Sequence, residues 1–394
     1  MSSLSWIDFD EVERQRARRI MALFHEKDSR DELGLGPIRD SIADHLFPGT
    51  STIQTRLRYM LFVPWIYAMV EQRDGPPERL EADARAREIR LIDALRAGGE
   101  DEGIIGRDAG ANLQRLASSA YWGGLRSWGI RLFPGSQETY FAALPSLRRY
   151  RYRAGSSEDA LAAEKHDLLT WRTGLPPAPD DILEKTSFQL TGAEAGFLID
   201  RLVDSQPSSL ITHLAKAGRH ADCNFIWEHP DLATFPSGTR RLVEHAEVFS
   251  QVMHSASLLY NLMLSELRQN EEWIEKYRDA LAKWAKEMDR HVIASWSLDD
   301  FWQQIEHENH RVRRPARLFV SRWLELIRQG AERVIDLTEA RDLVETRESR
   351  LKGSQSRFVN RSLLDRWGGR SGTLRLSFRW KEAGRHIRDL INAC

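Results

Sequence analysis

Between residues 242 and 267 the apolar positions fall at Leu242, Ala246, Phe249, Met253, Ala256, Tyr260, Met263 and Leu267, alternating steps of four and three. That spacing draws one seam along a single long helix, and such a seam must be covered by another helix. The next segment repeats it with Trp273, Tyr277, Leu281, Trp284 and Met288, which predicts a second helix joined to the first near Gln269-Asn270. A third helix should open at Pro315, whose fixed φ suits a first helical position, and stop before Gly330. The fold expected is mainly α.

Length allows more than one such helical body, since 394 residues suffice for two or three domains. Punctuation suggests where they divide. "GLPPAPDD" (174–181) places three prolines in eight residues, "RDGPPER" (73–79) breaks the opening stretch, and "EHPDLATFPSGT" (228–239) precedes the long seam. These marks predict an N-terminal helical domain over 1–173, a long-helix domain over 182–345 and a C-terminal module over 346–394. The module departs from the helical pattern. In "TLRLSFRW" (373–380), Leu374, Leu376, Phe378 and Trp380 alternate with Arg375, Ser377 and Arg379, the period of a half-buried strand, with "SRFVN" (356–360) as a partner. The module is therefore expected to be small, basic and α+β.

The N-terminal domain holds a motif used twice. "FPGTSTIQTRLRYMLFVPWIY" (47–67) is echoed by "FPGSQETYFAAL" (133–144), and each copy follows a segment carrying Gly and Arg. Pro-Gly turns the chain; Ser51 with Gln54 has capping-box spacing, and Ser136 is a second N-cap candidate. Both read as helix–turn–helix joints. Arg56 and Arg58 would point about 200° apart on a helix, so they cannot line one groove-facing stripe. The helix after them is apolar nearly all round and should be buried.

Catalytic and metal signatures are sparse. His213, His220, Cys223 and His229 are the right types for zinc, but their separations match no zinc motif. His307 and His310 share a helix face without the intervening general base of a metalloprotease, while His245 and His254 flank the seam. There is no nucleophile elbow, phosphate-binding loop or dinucleotide fingerprint. No cofactor and no metal is implied.

The charge distribution carries the clearest functional signal. Formal net charge is −1, yet Glu345–Asp389 holds twelve Lys or Arg against five acids, +7, leaving −8 for the rest. A local positive field on a nearly neutral chain is the footprint of phosphate binding. Arg357, Arg361, Arg366, Arg370, Arg375, Arg379 and Lys381 are the candidate nucleic-acid contacts, with Gly368, Gly369 and Gly372 letting backbone approach a phosphate. The alternatives are a dock for an acidic partner and a merely solvated face.

Compartment follows from what is missing. Two cysteines, one of them the last residue, make no disulfide framework and suggest a reducing environment. The first residues carry acids ahead of any apolar run, unlike a secretory signal, and the longest apolar run, Tyr59 to Val70, is twelve residues against the roughly 20 of a membrane helix. A cytoplasmic protein without membrane contact is expected.

The stretches "LSWIDFD", "LGLGPIRDSIADHLFPGTSTIQTRLRYMLFVPWIY", "YWGGLRSWGIRLFPGS" and "HAEVFSQVMHSASLLYNLML" together resemble an uncharacterised bacterial family, a domain of unknown function. The resemblance implies a phage-defence gene neighbourhood, with helicases, phospholipase D-type nucleases and DNA methylases nearby. The function expected is a non-catalytic accessory component of a DNA-targeting defence system, touching nucleic acid, DNA first, through the basic module, alongside helicase or nuclease subunits. A protein-only scaffold using the 242–267 seam and an unrecognised enzyme such as a nuclease are the alternatives.

Overall fold

The computed structural model describes residues 31–156, 169–306 and 311–393. Among these the chain forms fifteen α-helices and no β-strand, with one isolated antiparallel bridge between Arg131 and Trp171. The mainly α expectation holds. The described chain divides into two compact units. Unit I comprises residues 31–42 and Leu242–Phe378; unit II comprises Ala43–Arg241 and residues 379–393. His307 and His310, and the "WIDF" motif, lie outside the described residues.

Helix α1 (Gly36–Leu46) opens on Asp31, whose carboxylate accepts the N–H groups of Leu35 at 2.6 Å and Gly36 at 2.7 Å. In unit II, α2 (Tyr59–Glu71) is buried at every position from Tyr59 to Tyr67, as its unbroken apolar run demands. Helices α3 (Pro77–Ala97) and α4 (Ala117–Ser127) pack on α2, and α5 (Gln137–Ser156) packs on α3. A capping box of Thr191 and Glu194 starts α6 (Gly192–Ser205), and Ser209 caps α7 (Leu210–Ala217), which pairs with α6.

The first FPG joint is a packed corner. Gly49 sits at φ +79°, and a β-carbon there would lie 2.7 Å from the Trp128 ring, whose Nε1 donates to the Pro48 carbonyl at 2.9 Å. The expected Ser51–Gln54 capping box does not start a helix. Gln54 instead donates to the carbonyls of Gly49 (3.0 Å) and Ala120 (3.3 Å), and the helix begins only at Tyr59. At the second joint Ser136 does cap, accepting the Thr139 N–H at 3.2 Å. Arg58 turns inward to Glu194 at 2.7 Å, with both side chains buried.

Unit I is organised by α8 (Ser237–Leu267). Its expected one-sided seam is corrected: Val243, Val248, Val252, Leu258, Leu259, Leu262 and Leu264 are buried as well, and only Leu267, 43% exposed, reaches solvent. The cause is visible in composition, since residues 248–265 contain no Asp, Glu, Lys or Arg. The seam is thus core. Around it lie α9 (Glu271–Glu287), capped by Asn270, then α10 (Arg290–Ser295), α11 (Leu298–Ile305) and α12 (Arg314–Gly330), which opens beside Pro315. Helix α13 (Thr338–Lys352) packs on α12, and the short α14 (Arg361–Asp365) follows.

Residues 373–380 are not a strand, so the C-terminal module is not α+β. Phe378 (φ 51°) and Arg379 (φ 63°) are both left-handed, which no ladder tolerates. Backbone acceptors that a strand would satisfy are taken by α8 side chains: Ser250 donates to the Leu376 carbonyl at 3.0 Å, and His254 meets the Thr373 carbonyl at 3.1 Å. The proposed partner segment is equally irregular, with Val359 70% exposed. The two left-handed residues set up α15 (Trp380–Ile391), which belongs to unit II and packs on α7.

Candidate phosphate-binding cleft

Helix α15 is sharply two-faced. Trp380, Ala383, Gly384, Ile387 and Leu390 are buried, while Lys381, Arg385 and Arg388 stand at i, i+4 and i+7, within about 60° of arc. Asp389, on the inner side, fixes the helix: it accepts from Arg56 Nε at 3.1 Å and Nη2 at 2.9 Å and from the Leu57 N–H at 2.9 Å. Arg385 donates to the Thr55 carbonyl at 3.0 Å through one Nη.

The opposite wall comes from the loop after α7. Gly218, left-handed at φ 59°, stops that helix and turns the chain along α15. Trp380 Nε1 pins the loop by donating to the Cys223 carbonyl at 3.0 Å, and Arg388 Nη2 reaches His220 Nε2 and Asp222 Oδ1, each at 3.3 Å. Between loop and helix lies a cleft of about 390 Å³ lined by His220, Asp222, Cys223, Asn224, Gly384 and the cationic face.

Electrostatics favour an anion here. Three permanent cations face one carboxylate, and Asp222 is 97% exposed, so its pairing with Arg388 is solvated and weak. Burial and the neighbouring Arg388 hold the His220 imidazole below its ordinary value, so the ring is neutral and its Nε2 accepts from the guanidinium. Burial pushes the Cys223 thiol up, away from a nucleophilic thiolate. The cleft can hold negative charge; it assembles no nucleophile–base pair.

The sequence candidates fall in different places. Lys381 lines this cleft, beside Arg385 and Arg388, which the sequence reading did not single out. Their i, i+4, i+7 spacing was the signal available. Arg379 pairs with Asp44 and donates to the Thr50 carbonyl at 2.9 Å. In unit I, Arg357 is drawn into a buried network: its Nη1 contacts Glu32 at 2.8 Å and the Tyr260 hydroxyl at 2.6 Å, while Lys352 bridges Glu32 and Glu348. Arg361 and Arg366 are exposed; Arg361 pairs with Asp365 at 3.3 Å, and Arg366 donates to the Ser362 carbonyl at 3.3 Å. Arg370 and Arg375 are half-buried.

Other clusters are structurally employed. His245 Nδ1 accepts from Trp296 at 2.8 Å, which leaves Nε2 to donate to Asp300 at 2.7 Å, so neither nitrogen is available. His213 and His229 both pack on Phe235, and His229 Nδ1 accepts the Asp231 N–H at 3.1 Å. Among the described residues no three His, Cys, Asp or Glu side chains gather to hold a metal ion, and no helix is long and apolar enough to cross a membrane.

No curated protein and no solved structure matches the chain. What does match runs its whole length. A family model covers residues 1–394, and the protein belongs to that family, a family of unknown function (DUF6361).

Proposed function

We propose that this protein binds the phosphate backbone of nucleic acid through the cationic face of α15. The observation that carries this reading is the stripe of Lys381, Arg385 and Arg388 walling a concave cleft whose one acid is solvent-exposed. Lys381 has no hydrogen bond or ion pair within the described residues, and Arg385 and Arg388 keep guanidinium donors free for oxygen ligands. In keeping with the resemblance of its motifs, the protein would do this as a non-catalytic component of a bacterial assembly directed against phage or foreign DNA, beside helicase or nuclease subunits. Binding of a short oligonucleotide should then weaken steeply with salt. Lys381→Glu with Arg388→Glu, both at exposed positions, should leave the melting temperature unchanged and flatten the log–log salt slope by about two. Titration by fluorescence anisotropy at several salt concentrations reads both; a wild-type slope near zero would remove the proposal.

A second reading rests on a different observation. In unit I a groove of about 1060 Å³ runs between α12 and α13, where Leu318 and Leu351 are 48% and 46% exposed. An apolar groove between two helices suits a partner's amphipathic helix. Leu318→Asp abolishing co-purification of a partner subunit, with oligonucleotide binding intact, would favour the adaptor role.

A further inference from the structure

The shape of the α15 cleft says more about its ligand than its charge does. The cations rise about 10.5 Å along one helix from Lys381 to Arg388, and the 220–224 loop supplies the other lining residues. The recess of about 390 Å³ has the size of a small-molecule site. A duplex, by contrast, is met across a broad surface by contacts spread along two backbones. Arg385, in the middle of the stripe, is half-buried and lines the recess.

Charge points the same way. Three cations oppose one exposed carboxylate, an excess that a single phosphodiester, carrying one negative charge, leaves partly uncompensated. A terminal phosphomonoester brings nearly two charges and three terminal oxygens, enough to accept separately from Lys381, Arg385 and Arg388. Trp380, the indole at the recess, is 2% exposed and offers no face for a base to stack on.

Resting on the nucleic-acid reading above, we infer that the cleft receives a terminal phosphomonoester, the phosphorylated end of a strand, in preference to the internal diesters of a duplex. Asp222 is the group it displaces from Arg388.

The full chain would be titrated with one single-stranded oligonucleotide in 5′-phosphorylated, 3′-phosphorylated and unphosphorylated forms, and with a duplex lacking terminal phosphates. One phosphorylated end should bind roughly tenfold or more tighter than the unphosphorylated strand, and a nucleoside monophosphate should compete. Lys381→Ala and Arg388→Ala should each erase that preference, while Asp222→Asn should strengthen it. Salt-sensitive binding that is equal with and without terminal phosphate overturns the inference and leaves backbone binding standing. Absence of binding to every probe overturns both.

Discussion

Glu88 is the residue whose surroundings most alter its chemistry. It lies on α3, buried, with its Oε2 accepting the Ser118 N–H at 2.8 Å in the first turn of α4, so it caps a helix other than its own. Burial raises its carboxyl from the ordinary 4.5 to about 7. Because the folded value is the higher one, the folded chain holds the extra proton between these values. Stability is therefore full below about pH 4.5 and falls as pH rises through 7, by about 3 kcal/mol in all. Glu88→Gln keeps the acceptor and removes the ionisation, so its melting temperature should exceed wild type at pH 8 and converge with it near pH 5. Gly49 is a second test. Its positive φ and the 2.7 Å approach of Trp128 leave no room for a side chain, and Gly49→Val should cost about 3 kcal/mol in chemical denaturation. The turn at Gly49 was legible in the sequence from Pro-Gly alone. The state of Glu88 was not, because nothing in "REIRL" announces that another helix will begin against it.

At the scale of elements, legibility followed periodicity. The joint at Gln269-Asn270 and the opening of α12 beside Pro315 stand as the local signals indicated, since caps and prolines act over a few residues. The strand at 373–380 failed because its alternation is short: Phe378 and Arg379 are left-handed, and the Leu376 carbonyl accepts from Ser250 of α8 rather than from a neighbouring strand. The candidate cleft was half legible: the basic excess was plain, but which arginines face solvent depended on Asp44, Glu32 and Asp389, distant in sequence. Arg379 illustrates the difference. Its guanidinium pairs with Asp44, so Arg379→Glu should lower the melting temperature through carboxylate repulsion while the cleft's residual salt slope persists. Asp389→Ala should be costlier still, about 3 kcal/mol, because it leaves Arg56 and the Leu57 N–H without their acceptor. Thermal unfolding of the two variants side by side checks that order.

On the scale of the whole molecule, both units are assembled from segments far apart in the chain. Unit II includes α15, whose Trp380, Ile387 and Leu390 are almost wholly buried within it. Deleting everything after Phe378 should therefore destabilise residues 43–241, and limited proteolysis should cut the truncated protein inside that stretch at protease levels the full chain withstands. The same arrangement governs the order in which the protein can be made. Unit I holds the earliest described residues yet waits for Phe378 to emerge from the ribosome. Unit II has nearly all of its chain synthesised by Arg241 but must stand open through 137 further residues of unit I, until α15 arrives. During that interval unit II lacks the buried Trp380, Ile387 and Leu390 side chains of α15, so translation speed and chaperone supply, rather than equilibrium stability alone, should set how much folded protein a cell obtains.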